Sequence, residues 1–133
     1  MPGNPPRRMA SAAVLMEARP RRRNVFTALS CAMHFLLFYT YVPDVLEKRP
    51  AFRGAHLGHA RAAVARGELR LAGAFADPVD GAALFFEADS KSVVEQFAKD
   101  DPYVLGGLVT RWIVREWTTV VGDKPAHPLP PGL

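Results

Sequence analysis

The stretch from His34 to Val42, His-Phe-Leu-Leu-Phe-Tyr-Thr-Tyr-Val, limits what this chain can fold into more than any other feature. Its residues are β-formers nearly throughout, so it reads as a strand. The apolar run is almost unbroken, and such a strand is covered on much of both faces. The rest of the chain therefore has to supply layers around it. Pro43-Asp44 ends the strand, and Asp44 with Glu47 three residues on forms a capping-box pattern for a helix. Helical pattern continues to Arg66, and Gly67 stops it. Pro50 leaves two readings open: a kink, or a short first turn ahead of a main helix that starts at the proline.

Beyond Gly67 the period changes from helix to strand. Glu68 to Asp77 predicts a second strand with Leu69, Leu71, Gly73 and Phe75 on one side. Asp77-Pro78-Val79-Asp80-Gly81 is a turn cluster, and Ala82 to Ala88 a third strand, so these two form an antiparallel hairpin. Ser90 is placed to cap a second helix to about Lys99, with Val93, Val94 and Phe97 as its buried stripe. Asp100-Asp101-Pro102 breaks that helix, and Tyr103 to Leu108 is a short turn or helical segment. Val109 to Val121 predicts the fourth strand. The order is β-α-β-β-α-β, the split βαβ pattern of a ferredoxin-like α+β fold. Four antiparallel strands then carry the helices on one face. The other face is open and rich in apolar residues. A second copy of the chain is the expected cover, which makes a homodimer with the sheets packed together.

Length and charge narrow the functional classes. A chain of 133 residues holds one domain and little more. The net charge of +4 suggests nucleic acid until the charges are placed. Residues 1–32 hold six arginines against one acid, so residues 33–133 carry about −1 and no nucleic-acid surface is expected on the domain. The first 32 residues, Arg-rich and nearly acid-free, have the composition of an organelle transit peptide. Two other readings stay open: a disordered tail, or an upstream start with Met33 as the true first residue. The expected location is the cytoplasm, or a mitochondrion or plastid if residues 1–32 are a transit peptide. The domain spans residues 33–122, and residues 123–133, with Pro125, Pro128, Pro130 and Pro131, are expected to be disordered. One cysteine, Cys31, excludes an intrachain disulfide. No apolar run reaches the roughly 18 residues of a membrane span. Gly106-Gly107 lacks the Lys-Ser/Thr of a phosphate loop, and the four histidines form no metal-ligand cluster, so neither cofactor nor metal is expected.

Three stretches carry a family resemblance. The first is Leu46-Glu47-Lys48-Arg49 with Arg53 and His56-Leu57. The second is Leu71-Ala72-Gly73. The third, and most specific, is Asp101-Pro102-Tyr103-Val104 with Gly107-Leu108-Val109. In order and spacing they resemble the YciI-like (YCII-related) family over nearly all of residues 33–122. The resemblance implies a small ferredoxin-like dimer with a histidine and an aspartate as the catalytic pair, at His56 and Asp101 here. The family includes a dehydrochlorinase acting on a hydroxylated chloroaromatic, and its fold resembles that of muconolactone isomerase. The expected activity is therefore cofactor-free proton transfer on a small molecule, an isomerase or lyase reaction on a cyclic or aromatic acid. The alternative is a non-catalytic, dimeric ligand-binding or interaction module. The sequence departs from the commoner family pattern at Tyr41, where many members carry an aspartate, at Ala74 in place of a frequent proline, and at Ala82-Ala83 in place of a glycine-serine pair. It resembles a Tyr-Val-Pro-Asp subgroup of the family.

The residues themselves carry part of this reading. At about 100° per residue, Leu46, Leu57 and Val64 lie within about 20° of one direction. His56 lies about 80° away, at the border of that stripe, and His59 about 140° away, toward solvent. An imidazole at the edge of a core can move a proton, or can simply bond a backbone carbonyl. Pro102 holds Asp101 extended, which aims its carboxylate off the helix axis. Against His56 it would orient the ring, and the bland alternative is an Asp-Pro turn or a cap for the next segment. Tyr41 and Tyr103 could supply phenol donors and a flat wall to a substrate, or be core residues. Arg49 and Arg53 could bind an acidic group, or pair with Glu47 or Asp44. Gly73 could mark close approach to a ligand, or a bulge.

Overall fold

The computed structural model describes residues 32–133. The sequence readings of residues 1–31 lie outside the described residues. The elements run β1 (Met33–Tyr41), α1 (Val45–Lys48), α2 (Pro50–Ala65), β2 (Leu69–Ala74), β3 (Gly81–Ala88), α3 (Lys91–Asp100), α4 (Pro102–Leu105) and β4 (Val109–Glu116). All three strand pairings are antiparallel, and the sheet order is β2-β3-β1-β4. This is the ferredoxin-like arrangement, and β1 sits inside it, as its apolar run requires. Along β1 the side chains alternate: Phe35, Leu37, Tyr39 and Tyr41 are buried on one face together with Leu84, Phe86, Val94, Phe97 and Leu108. That face carries the helices. Among the described residues no helix is long and apolar enough to cross a membrane.

Several boundaries differ from the sequence reading, each for a local reason. Asp44 stands ahead of α1, but its side chain makes no capping bond; it lies 3.7 Å from Lys48 instead. Pro50 does not kink a helix. It begins α2, where its missing N–H is no loss. Because Leu46 belongs to a separate turn, it does not set the phase of α2. The inward stripe is Phe52, His56, Ala60 and Ala63, while Leu46 and Val64 are exposed. His59 turns toward α3, not solvent: its Nε2 lies 2.9 Å from the Phe97 carbonyl and its ring stacks on the Phe97 ring.

On β2 the register shifts between Leu69 and Leu71. The irregularity puts Leu69 at 3% exposure and Leu71 at 73%, on opposite faces rather than the same one. Ser90 precedes α3 but its hydroxyl pairs with that of Ser92, not with a helix amide. In α3 the buried side chains are Val94, Phe97 and Ala98, with Val93 only partly covered. β4 stops at Glu116, five residues short of the predicted Val121, because the chain turns back on itself. The Thr119 N–H reaches the Trp117 carbonyl, and the Ala126 and His127 amides donate to Thr119. Residues 123–133 carry no helix or strand.

Candidate active site

The break between α3 and α4 places a carboxylate in the core. Asp101 has an extended backbone (φ −69°, ψ 126°), as a residue before proline should. That conformation ends α3 and turns the carboxylate into the core, where Asp101 is 0% exposed. Burying a carboxylate requires partners, and three donors converge on it. His56 Nδ1 lies 2.8 Å from Oδ1, the Tyr103 amide donates to Oδ1 at 2.9 Å, and the Tyr39 hydroxyl donates to Oδ2 at 2.7 Å. The aspartate is thus both things the sequence left open. It caps α4 through the Tyr103 amide and holds a histidine from α2.

This geometry fixes the histidine. With Nδ1–H donating to the carboxylate, Nε2 is left as the ring atom with an available lone pair. The His56 ring lies flat on the Tyr103 ring, centroids 3.8 Å apart and 6° from parallel. Tyr41 meets Tyr103 edge-on at 6.2 Å. The imidazole borders a cleft of about 190 Å³ between α2 and the sheet, lined also by Tyr39, Tyr41, Arg49, Arg53 and Tyr103. Ala60, Ala72, Ala82 and Leu84 give it an apolar floor. All six site residues read from the sequence come together here: His56 and Asp101 as a bonded pair, and Tyr41, Arg53, Gly73 and Tyr103 on the walls. Gly73 is not the bulge. A Cβ there would meet nothing within 4 Å, and the register, with Gly73 opposite Ala83 and in step with Leu71, turns that position to the open face of the sheet, so Gly73 borders the cleft through its backbone alone.

The environment acts on the phenols. Burial pushes Tyr41 up to about 12, with the charges of Tyr103 and Asp101 acting in the same direction and Arg49 and Arg53 opposing. Tyr39 is raised further, by burial first and then by the Asp101 carboxylate that accepts its hydrogen bond. Burial raises Tyr103 too, against the pull of Arg53 and Arg49. All three phenols therefore remain donors at neutral pH.

Sequence reasoning missed Tyr39. The signal was present, because residues two apart on a strand share a face and Tyr39 precedes the flagged Tyr41 by two. Arg49 lines the cleft as Arg53 does. Of the two readings open for Arg49 and Arg53, the pairing with Glu47 or Asp44 does not form. Among the described residues neither guanidinium has a carboxylate within 4.0 Å.

Known proteins share this architecture. The chain is similar to the 5-chloro-2-hydroxyhydroquinone dehydrochlorinase TftG of Burkholderia phenoliruptrix AC1100, solved in complex with 2,5-dihydroxybenzoquinone. The match has 26% identity and a TM-score of 0.58, and covers 65% of this chain and 95% of that one. A protein of the antibiotic biosynthesis monooxygenase type from Bacteroides thetaiotaomicron VPI-5482 superposes with a TM-score of 0.50 at 12% identity, covering 72% and 96%, a likeness of fold alone. No curated protein sequence matches. The model of the YCII-related domain matches residues 33–118, most of the chain and every element from β1 to β4, and the protein therefore belongs to the YCII-related domain family.

Proposed function

We propose that this YCII-related protein is a cofactor-free enzyme that moves a proton on a small cyclic or aromatic acid, in an isomerase or lyase reaction. The observation that carries this reading is the 2.8 Å contact between His56 and a fully buried Asp101 at the wall of a cleft. His56 Nε2 acts as general base and then as general acid. Asp101 orients the ring and stabilises the imidazolium that forms on proton uptake. Tyr39 holds the second carboxylate oxygen, so the aspartate cannot swing away from the histidine. Tyr41, Arg53, Gly73 and Tyr103 contact the substrate. Similarity to TftG supports a lyase acting on a hydroxylated chloroaromatic as the first reaction to try.

The functional unit is a homodimer closed over the open sheet face. Support comes from the apolar side chains there: Leu71 and Ile113 are exposed, and Leu36 and Phe38 are only half-buried. Sedimentation of the full chain tests this part, and a monomer at micromolar concentration removes it.

The chemistry is tested with 5-chloro-2-hydroxyhydroquinone and a panel of hydroxylated aromatic acids. Chloride release and uptake of solvent deuterium would be followed. His56→Ala is expected to lower turnover by about 10² or more, the scale of general acid–base catalysis, and Asp101→Asn nearly as much. Full activity in His56→Ala ends the enzymatic reading. A second reading, a binding module that keeps the cleft without turnover, is favoured by the neutral residues Tyr41 and Ala82 on its wall. Ligand binding with no turnover in the wild type would establish it.

A further inference from the structure

The cleft has an electrical polarity that proton transfer alone does not explain. No Asp or Glu lines it, whereas two guanidiniums do, Arg49 and Arg53. The nearby carboxylate, Asp101, lies behind the wall and already accepts three hydrogen bonds. Two phenols on the same wall are more than nine-tenths buried, Tyr41 at 8% and Tyr103 at 3% exposure. Neither hydroxyl has a hydrogen-bond partner among the described residues. Both phenols line the cleft, so their hydroxyls are free to donate to an acceptor bound there. Since burial holds both phenols in the protonated form, what they offer is O–H, not an anion.

We propose that Tyr41, Tyr103, Arg49 and Arg53 form an oxyanion site, and that the substrate is a single-ring compound with an oxygen that is, or becomes, an enolate or phenolate. This rests on the reading of His56 as the base and adds where the negative charge goes. When His56 Nε2 takes a proton from a ring carbon, the C–H electron pair becomes a C=C bond and the carbonyl pair moves onto oxygen. Tyr41 and Tyr103 donate to that oxygen, and the guanidiniums offset its charge. Reprotonation at another carbon completes an isomerisation. In an elimination the oxygen pair instead returns to re-form C=O, the enolate C=C pair moves to the neighbouring carbon–carbon bond, and chloride departs from the adjacent carbon with the C–Cl pair. The size agrees: a cavity of about 150 Å³ takes a benzene ring, and this cleft is about 190 Å³.

The test uses 4-nitrophenol, whose colour reports whether it is bound as phenol or phenolate, with uncharged 4-nitroanisole as its isostere. The full chain is expected to lower the ionisation midpoint of bound 4-nitrophenol by about one pH unit, a tenfold preference for the phenolate. Tyr41→Phe and Arg53→Gln should each remove most of that shift while leaving the affinity for 4-nitroanisole within about twofold, which also shows that the variants are folded. The proposal falls if 4-nitroanisole binds the wild type as tightly as the phenolate. It also falls if a Tyr41→Phe, Tyr103→Phe double variant keeps the shift, or if no phenolate binds at millimolar concentration. Because this is a binding experiment, a chain that grips phenolate but exchanges no proton keeps the oxyanion site and loses His56 as a base.

Discussion

Two imidazoles, one buried and one partly covered, sit against opposite faces of one sheet, and they differ in what their Nδ1 atoms meet. On the helix side, His56 faces a carboxylate, and its other nitrogen borders a cleft. On the far side, His34 faces the hydroxyl of Thr119 at 2.7 Å, with its ring edge-on to Phe85 at 4.9 Å. Burial lowers the pKa of His34, with Arg70 and His127 acting in the same direction and Glu87 opposing. The first arrangement sets a full negative charge against the ring. The second holds a neutral ring, since a hydroxyl offers no charge to offset an imidazolium. The two sites therefore differ in the partner, a carboxylate against a hydroxyl, more than in the histidine.

The carboxylate side should be the more fragile. Asp101→Ala leaves the His56 Nδ1–H, the Tyr39 hydroxyl and the Tyr103 amide without the acceptor they share, at a position that is 0% exposed. A loss of about 3 kcal/mol or more is expected by urea unfolding, the scale for breaking a buried polar cluster. Thr119→Val on the other face breaks fewer bonds and should cost about 1 kcal/mol. Equal losses would erase the contrast between the two faces.

Gly81→Ala reaches the same cluster through the backbone. A Cβ at Gly81 would sit on the carbonyl oxygen of Tyr39, which cannot yield without moving β1. About 1–3 kcal/mol of strain is expected, together with displacement of the Tyr39 hydroxyl from Asp101. Loss of the downfield His56 Nδ1 proton in the NMR spectrum would report that displacement. Tyr39→Phe, which removes the hydroxyl and nothing else, should cost less, about 1–1.5 kcal/mol. If Tyr39→Phe proves worse than Gly81→Ala, the phenol has a second role at the cleft.

The two faces also differ in how much the sequence revealed. Element order, the sheet and the break at Asp101-Pro102 were legible because period and turn residues are local signals. His56 and Asp101 emerged through motif spacing, not through the helical wheel. The wheel was centred on Leu46, which belongs to α1, and so it misplaced His59. The burial of Leu69 and exposure of Leu71 were not legible, because the register shift between them is settled by pairing with Phe85 and Phe86. Tyr39 as a partner of Asp101 needed tertiary contact across 62 positions. His34 gave no signal at all, since its partner is the Thr119 side chain in a segment read as strand.

The smallest effect separates the two imidazoles most directly. The pKa of His34 is lower in the folded chain than in the unfolded one. Its contribution to stability is therefore complete above the unfolded value of about 6.5. It is lost as pH falls through the folded value, because the unfolded chain binds the proton first. His34→Gln removes this titration and keeps a polar side chain. The difference in urea midpoint between wild type and His34→Gln should be largest near pH 8 and shrink steadily toward pH 5. Taking the difference cancels the carboxylates, which titrate alike in both chains. A gap that stays constant from pH 8 to 5 would mean that the far-side imidazole is not held neutral. The partner at Nδ1 would then not be what distinguishes the two sites.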